Sequence, residues 1–142
     1  EGIFYQIYPI GFCGAPTAND GKTVSRILKL KDWSSYLESL GISSILLNPI
    51  FESDNHGYDT RDYKKIDCRL GTNKDFAEVC KDLHAHNVKI VLDGVFNHVG
   101  RGWKRNGILH TKTGSVSILT VIPATMTASG MRDGKDILNW SN

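Results

Sequence analysis

The stretch Asp93-Gly94-Val95-Phe96-Asn97-His98 directly follows the apolar run of residues 88–92, and this junction decides the fold. A continuous apolar run, rather than an alternating one, is typical of a strand buried on both faces of a parallel sheet. In parallel α/β architectures, ligands bind beyond the carboxyl ends of the strands. The carboxylate, the amide and the imidazole that come after the run therefore predict a binding site. The alternative is that Asp93 caps a turn while Asn97 and His98 are solvated loop residues.

The predicted strand is the third of three, and helical segments separate them. The apolar runs that predict the strands cover residues 3–8, 42–47 and 88–92. Between the first two, after a loop opened by Pro9, a helix is expected from an N-cap at Asp32 to a left-handed stop at Gly41. Between the second and third, a capping box from Thr72 to Asp75 begins an amphipathic helix. This order predicts an α/β fold with a parallel sheet and right-handed crossovers.

Residues 50–71, between the second strand and the second helix, form a segment too long to be an ordinary connection. It contains His56-Gly57-Tyr58-Asp59-Thr60-Arg61-Asp62-Tyr63, which is rich in aromatic and charged residues. We therefore expect an ordered binding loop, in which Tyr58 offers a flat ring to a sugar face and His56 and Asp62 bond its hydroxyl groups. In the alternative, the loop is held together only by its own ion pairs.

Composition and charge narrow the classes of partner. The 142 residues are 40% hydrophobic and contain no apolar run long enough to cross a bilayer, so a membrane partner is not expected. The 17 basic and 15 acidic residues give a net charge of only +2, without a basic run, so a nucleic-acid partner is not expected either. Three cysteines without zinc-ligand spacing predict reduced thiols and weakly favour a cytoplasmic protein. Since the sequence begins at Glu1 without methionine, a signal segment before it stays an open alternative.

A set of short motifs, in this order along the chain, matches one known family. They are Tyr5-Gln6-Ile7-Tyr8-Pro9, Leu40-Gly41-Ile42, Leu47-Asn48-Pro49-Ile50-Phe51, His56-Gly57-Tyr58-Asp59 with Asp62-Tyr63, Ile66-Asp67 with Leu70-Gly71, and Asp93-Gly94-Val95-Phe96-Asn97-His98. Over residues 1–102 the chain resembles the α-amylase family, glycoside hydrolase family thirteen. The segment Asn48-Pro49-Ile50-Phe51-Glu52-Ser53 is most similar to the sequences of one branch of the family, which contains the neopullulanases, cyclomaltodextrinases and oligo-α-glucosidases.

The resemblance implies that residues 1–102 are the first three strand–helix units of a (β/α)8 TIM barrel, which is incomplete in this chain. It also implies an α-linked glucan or maltooligosaccharide as the partner. In the matching positions, Tyr58 would stack on the sugar at the cleaved bond, and His56 belongs to the same loop. His98 would bond a hydroxyl group of that sugar, and Asp93 would hold the site in shape.

The resemblance also implies a metal position, at Asn97. This residue matches the position that binds structural calcium in many members of the family, although other members require no cofactor. An amide oxygen suits a hard cation, but one such ligand cannot satisfy an ion that takes six to eight. Calcium is therefore an optional rather than a required cofactor by this argument.

No residue of this chain is assigned a catalytic role by the resemblance. Retaining glycoside hydrolysis needs a carboxylate nucleophile and a carboxylic acid, and in this family both lie on later strands, expected beyond residue 142. We therefore expect a fragment of a retaining α-glucan hydrolase that is inactive alone. One alternative is a noncatalytic carbohydrate-binding relative of the same fold.

A further alternative is an unrelated metal-dependent barrel hydrolase that uses His84, His86, Asp93 and His98. The first two histidines end the second predicted helix, so they are expected at the opposite end of the sheet from Asp93. Ligands of one metal ion must lie close together, and the pattern therefore argues against this alternative.

Residues 103–142 do not match the family, and we expect them to be an irregular tail. We hypothesise that the tail is translated out of frame. When each codon's third base is read with the next codon's first two, residues 123–135 can encode SYNDGFWYEGWEG, a string typical of the segment after the third strand in this family. Two letters of the shifted frame are fixed, because Met126 before Thr127 forces aspartate and Asn139 before Trp140 forces leucine. The alternative is a genuinely divergent tail.

The frameshift hypothesis is tested by resequencing the coding DNA from the codon of Asp93 to several hundred bases beyond that of Asn142. We expect a single base change to restore the family's sequence and to open a frame that continues into later barrel strands. A confirmed tail with no barrel sequence behind it would contradict the hypothesis.

Overall fold

In the residues that the structure describes, the strands form a four-stranded sheet and a separate two-stranded sheet. The computed structural model describes residues 2–96 and 98–101 together with the backbone of residues 117–122. The strands are β1 (Phe4–Ile7), β2 (Ser44–Leu47), β3 (Phe51–Ser53), β4 (Thr60–Ile66), β5 (Lys89–Val95) and β6 (Ser117–Ile122). The helices are α1 (Pro9–Phe12), a 3-10 helix (Arg26–Trp33), α2 (Ser34–Ser39) and α3 (Asn73–Ala85). In the described part of the chain, no helix has the length and apolar character that crossing a membrane requires.

The larger sheet has the strand order β1-β2-β5-β6, and its first three strands are parallel. Ile7, Leu47 and Leu92 lie side by side in register, and all three are buried. The predicted α/β fold with a parallel sheet is thus confirmed. Because the chain must return to the same end of the sheet before each new strand, the helices lie between strands in sequence.

The third strand is longer than predicted, and Asp93 lies within it rather than after it. Strand β6 pairs antiparallel with β5 along its length, from Ile90 with Ile122 to Val95 with Ser117. This pairing extends β5 beyond the apolar run, which carried no signal for it. Strand β6 also belongs to the tail that was predicted to be irregular; residues 102–116 and 123–142 lie outside the described part.

The first helical segment begins earlier than predicted, so the N-cap assigned to Asp32 is wrong. A 3-10 helix precedes α2, whose N-cap is Trp33 without a side-chain hydrogen bond. Ile27 and Leu30 are fully buried, and their spacing of three residues places both on one side of a 3-10 helix. The predicted stop is confirmed, because Gly41 has a φ of 70° directly after the helix.

The second helix matches its predicted start. In α3, the Thr72 side chain accepts a hydrogen bond from the Asp75 amide, and the Asp75 carboxylate accepts one from the Thr72 amide at 2.8 Å. This capping box satisfies amide groups that the first turn cannot pair within the helix. The apolar face, which consists of Phe76, Val79, Cys80 and Leu83, is buried in the core where α3 packs on the 3-10 helix and on β5.

Two loops are more regular than the sequence indicated. Residues 9–12, predicted as a loop, form the short helix α1, in which Pro9 occupies the first turn and needs no amide partner. The long segment of residues 50–71 contains an antiparallel hairpin of β3 and β4. Its ordered character therefore comes from a strand pair, which folds back over the carboxyl ends of β2 and β5.

The cysteines are free thiols, as predicted, and all three are buried. Burial raises the pKa of the Cys80 thiol to about 12 and that of Cys13 to about 11. Burial together with the nearby Glu52 carboxylate also raises the pKa of Cys68. All three thiols are therefore protonated at neutral pH and poor nucleophiles. Cys13 and Cys80 pack in the hydrophobic core, whereas the Cys68 thiol donates to Asn19 Oδ1.

A buried ion pair fastens the hairpin to the rest of the fold. Arg69 and Asp67 are both 0% exposed, and the guanidinium meets the carboxylate through Nε at 2.8 Å and Nη2 at 2.7 Å. Nη2 also donates to Ser53 Oγ in β3, at 2.9 Å. Nη1 donates to the carbonyl oxygens of Pro16, Thr17 and Asn55. One guanidinium thus joins the loop after α1, the hairpin and the segment before α3.

We expect Arg69→Met to destabilise the chain by about 3–5 kcal/mol, because it leaves the Asp67 carboxylate buried without its cation. The measurement is the urea midpoint of unfolding. The matched control is Lys31→Met at the exposed Lys31–Glu78 ion pair, which should leave the midpoint nearly unchanged because solvent screens that pair. Equal effects of the two substitutions would contradict this account.

Candidate functional site

Four side chains form a line of hydrogen bonds across the carboxyl ends of the parallel strands. Gln6 of β1 donates through Nε2 to Asn48 Oδ1 at 3.0 Å, and Asn48 follows β2 directly. Asn48 Nδ2 donates to the Tyr58 hydroxyl at 2.6 Å, and that hydroxyl donates to Asp93 Oδ2 of β5 at 3.1 Å. We call Gln6, Asn48, Tyr58 and Asp93 the Tyr58 relay. It joins the ends of three neighbouring strands to the hairpin.

The environment of Tyr58 favours its neutral form. Burial raises the pKa of the Tyr58 hydroxyl, the hydrogen bond from Asn48 acts in the opposite direction, and the nearby Asp93 carboxylate raises it further. A phenol that already accepts one hydrogen bond and donates another is poorly suited to acid–base chemistry at neutral pH. The ring, which is only partly buried, is what Tyr58 can offer to a ligand.

His56 lies beside Tyr58 on the same hairpin. The Tyr58 amide donates to His56 Nδ1 at 3.2 Å, and the ring centroids of the two residues are 6.1 Å apart. Tyr8, at the end of β1, donates through its hydroxyl to the His56 carbonyl at 3.2 Å. The His56 side chain is 60% exposed and lies 3.7 Å from Asp59, so a solvent-facing imidazole adjoins the tyrosine ring.

The segment that carries His98 is held against the hairpin from both sides. The Tyr63 hydroxyl of β4 donates to the carbonyl oxygens of Val95 and His98. The Gly100 amide donates to the Thr60 carbonyl at 2.8 Å. A Cβ atom at Gly100 would overlap the Asp59 carbonyl oxygen, so this approach requires glycine.

Among the described candidates, Asp62 lies apart from this group, and His98 is bonded to the hairpin through its backbone carbonyl. Asp62 is exposed on β4, and its carboxylate accepts a hydrogen bond from the Lys64 amide at 2.8 Å. A role for Asp62 toward substrate therefore stays a prediction. The neighbouring Arg61 forms an ion pair with Asp54 at 2.5 Å, so the hairpin also has ion pairs of its own, as the alternative interpretation expected.

Asn97, the predicted calcium ligand, lies outside the described residues. In the described part, the potential metal ligands that come together are Glu52, Asp67 and Cys68. This group does not fit calcium, because a thiol is a soft ligand and Arg69 already occupies the Asp67 carboxylate. Lys65 lies 3.3 Å from Glu52, so cationic side chains balance both acids.

The residues that the metal-dependent alternative would use as ligands do not lie close to one another. His84 and His86 lie at the end of α3, before β5 begins at Lys89, whereas Asp93 is four residues further along that strand. Four strand residues span about 13 Å, which is too far for ligands of one metal ion. The structure therefore agrees with placing these histidines at the opposite end of the sheet.

The strand-end cluster occurs in a chain whose sequence matches a known catalytic domain. The family model described as "Alpha amylase, catalytic domain" matches residues 6–109. The chain belongs to the α-amylase family. The matched range includes the four residues of the Tyr58 relay. It also includes the described residues 98–101, which we call the His98 segment.

Relatives with the names of the predicted branch support this membership. The chain is 57% identical to an amylopullulanase of Thermoanaerobacterium thermosulfurigenes over 49% of its own length and 4% of the relative's. It is 41% identical to an oligo-1,6-glucosidase of Heyndrickxia coagulans, over 69% and 17% of the two chains. It is 35% identical to neopullulanase 2 of Thermoactinomyces vulgaris, over 70% and 20%. The chain thus spans at most a fifth of the length of these relatives.

The fold comparison agrees with the sequence comparison. The trehalose-6-phosphate hydrolase of Bacillus licheniformis superposes with a TM-score of 0.59 and 29% sequence identity, covering 72% of this chain and 18% of the other. The solved structures similar to this chain are TIM-barrel enzymes of the same family. The α/β arrangement of this chain is therefore the arrangement of a part of such enzymes.

Sequence reasoning missed Gln6 and Asn48 as members of the site. Both lie in the motifs that carry the family resemblance, but no local pattern distinguishes a polar residue that faces the site from one that faces solvent. A usable signal was their position, because each lies at or next to the carboxyl end of a parallel strand.

We expect Gly100→Ala to displace the His98 segment from the hairpin, because the added methyl group overlaps the Asp59 carbonyl oxygen. Amide hydrogen exchange at Gly100 should become much faster as its hydrogen bond to Thr60 breaks. The matched control is Gly21→Ala, where a Cβ atom meets nothing within 4 Å although the φ of +71° is itself unusual for alanine. Unchanged protection at residue 100 in the Gly100 variant would contradict the close packing.

Proposed function

We propose that this chain is the N-terminal part of a retaining α-glucan hydrolase and comprises the first three strand–helix units of a (β/α)8 barrel. The observation that carries the proposal is the hydrogen bond between Tyr58 and Asp93, which brings the hairpin onto the strand ends. In barrel enzymes the carboxyl ends of the strands carry the active site. Relatives named for pullulan and for 1,6-linked oligoglucosides support a glucan as the substrate class.

The proposed role of Tyr58 is a stacking surface for one glucose ring. Sugar rings present C–H groups on their faces, and an aromatic ring packs against such a face with a gain in buried apolar area. The adjacent His56 imidazole and the exposed His98 side chain would supply hydrogen bonds to hydroxyl groups. Asp93 would hold the Tyr58 ring in place, since its carboxylate accepts a hydrogen bond from the Tyr58 hydroxyl.

The proposal assigns no catalytic residue to this chain. A retaining mechanism requires two carboxyl groups about 5–5.5 Å apart, one as nucleophile and one as general acid. Asp93 is committed to Tyr58, and among the described residues no second carboxylate is hydrogen-bonded within the Tyr58 relay. We therefore propose that the catalytic acids belong to sequence beyond residue 142, and that the chain alone binds glucan without cleaving it.

The binding claim is tested by isothermal titration of the full chain with maltoheptaose. We expect saturable binding, and Tyr58→Ala should weaken it roughly tenfold or more because the stacking surface is lost. The control is Tyr36→Ala, which removes an exposed tyrosine that contacts Trp33 on the helical side of the sheet. The absence of binding by the unmodified chain would contradict a glucan site.

Reducing-sugar release from maltoheptaose tests the second half of the proposal. The chain alone should release none above the buffer rate, whereas turnover would show that the catalytic acids lie within it.

A further inference from the structure

We propose that Gln6 and Asn48 are positioning residues that fix the Tyr58 ring for sugar stacking, acting through the Tyr58 hydroxyl rather than by touching the sugar. This inference rests on the proposed function, since it concerns how the same binding surface is oriented. The observation is the line of three hydrogen bonds from β1 to β5 through residues that are 42, 10 and 35 positions apart in sequence.

The first bond sets which way the Asn48 amide points. Gln6 Nε2 donates to Asn48 Oδ1, so the oxygen of that amide faces β1 and its nitrogen faces Tyr58. An amide can turn by a half rotation with little change in shape, and only its hydrogen-bond partners distinguish the two orientations. The Asp93 carboxylate takes the Tyr58 hydroxyl hydrogen, so Tyr58 needs a donor on its other side, and the bond from Gln6 stabilises the Asn48 orientation that supplies it.

The second and third bonds use the Tyr58 hydroxyl in complementary ways. It accepts from Asn48 and donates to Asp93, so the single hydroxyl hydrogen is committed to the carboxylate. If the Asn48 amide were reversed, its oxygen would compete with Asp93 for that hydrogen. The relay as built has no such conflict, and two bonds from different strands fix the far end of the ring.

The relay leaves the face of the ring, and not its hydroxyl, for the ligand. The Tyr58 backbone amide donates a hydrogen bond to His56 Nδ1, and the hydroxyl at the far end of the ring is bonded to Asn48 and Asp93. A ring held in this way loses little conformational entropy when a sugar packs on it. Asn48 and Gln6 therefore increase affinity by pre-organising the surface.

The test is a double-mutant cycle in maltoheptaose affinity, measured on the full chain. Asn48→Ala should weaken binding by about fivefold, the equivalent of one neutral hydrogen bond. In a Tyr58→Phe background, which keeps the ring but has no hydroxyl, the same substitution should have no further effect. If Asn48 instead contacts the sugar directly or acts only on stability, its effect will persist in that background and will overturn the proposal.

A second readout needs no sugar. In chain labelled with ¹³C at tyrosine Cζ, the Tyr58 resonance, identified by its loss in Tyr58→Phe, reports the ionisation of that hydroxyl. The donor from Asn48 stabilises the phenolate, so Asn48→Ala should raise the pKa of Tyr58 further, whereas Asp93→Asn should lower it. Asn55→Ala, which removes an amide bonded to Asp59 on the same hairpin, should leave it unchanged.

If Asn48→Ala fails to fold, Gln6→Met provides a second variant that tests the same relay. Gln6 is exposed, and its replacement leaves Asn48 in place. The substitution should raise the pKa of Tyr58 by less than Asn48→Ala does, since the amide then samples both orientations. No change of the Tyr58 pKa in either variant would overturn the relay. The two claims can fail separately. If the pKa changes occur as expected but the unmodified chain does not bind glucan, the relay is supported and the proposed function is refuted.

Discussion

The structure depends on one buried guanidinium. Arg69 uses all of its nitrogen atoms on Asp67, on Ser53 of the hairpin and on three carbonyl oxygens of distant loops. A buried charge is tolerated only when it is paired and fully hydrogen-bonded, and here both conditions hold. The same contacts fix where the hairpin lies. The position of Tyr58 above the strand ends therefore depends on the buried Arg69–Asp67 ion pair.

From that constraint the site is assembled in two steps. The parallel sheet brings Gln6, Asn48 and Asp93 to one edge, since each lies near the carboxyl end of its strand. The hairpin then delivers Tyr58 onto this edge, and the close approach of Gly100 brings the His98 segment to its flank. Each step uses contacts between residues far apart in sequence, so the surface exists only in the folded chain.

Local signals predicted the parts of the fold that depend on local physics. The capping box at Thr72 and the left-handed Gly41 are determined by neighbouring residues, and both were foreseen. The N-cap at Asp32 was wrong because burial of Ile27 and Leu30 draws the preceding residues into a 3-10 helix, which is a tertiary effect. Likewise, Asp93 lies inside β5 because β6 pairs with it, and the relay was missed because its bonds join distant segments. Tyr58 itself was found from the aromatic and charged residues of its loop, and the family motif then assigned it to the sugar at the cleaved bond.

The most direct test of this account is a crystal structure of the chain with maltotriose. We expect one glucose ring packed on the face of Tyr58, with a hydroxyl group hydrogen-bonded to the His98 imidazole and with Gln6, Asn48 and Asp93 bonded as in the free chain. A sugar bound elsewhere, or one that takes the Tyr58 hydroxyl away from Asp93, would contradict the claim that this edge of the sheet is a pre-organised glucan surface.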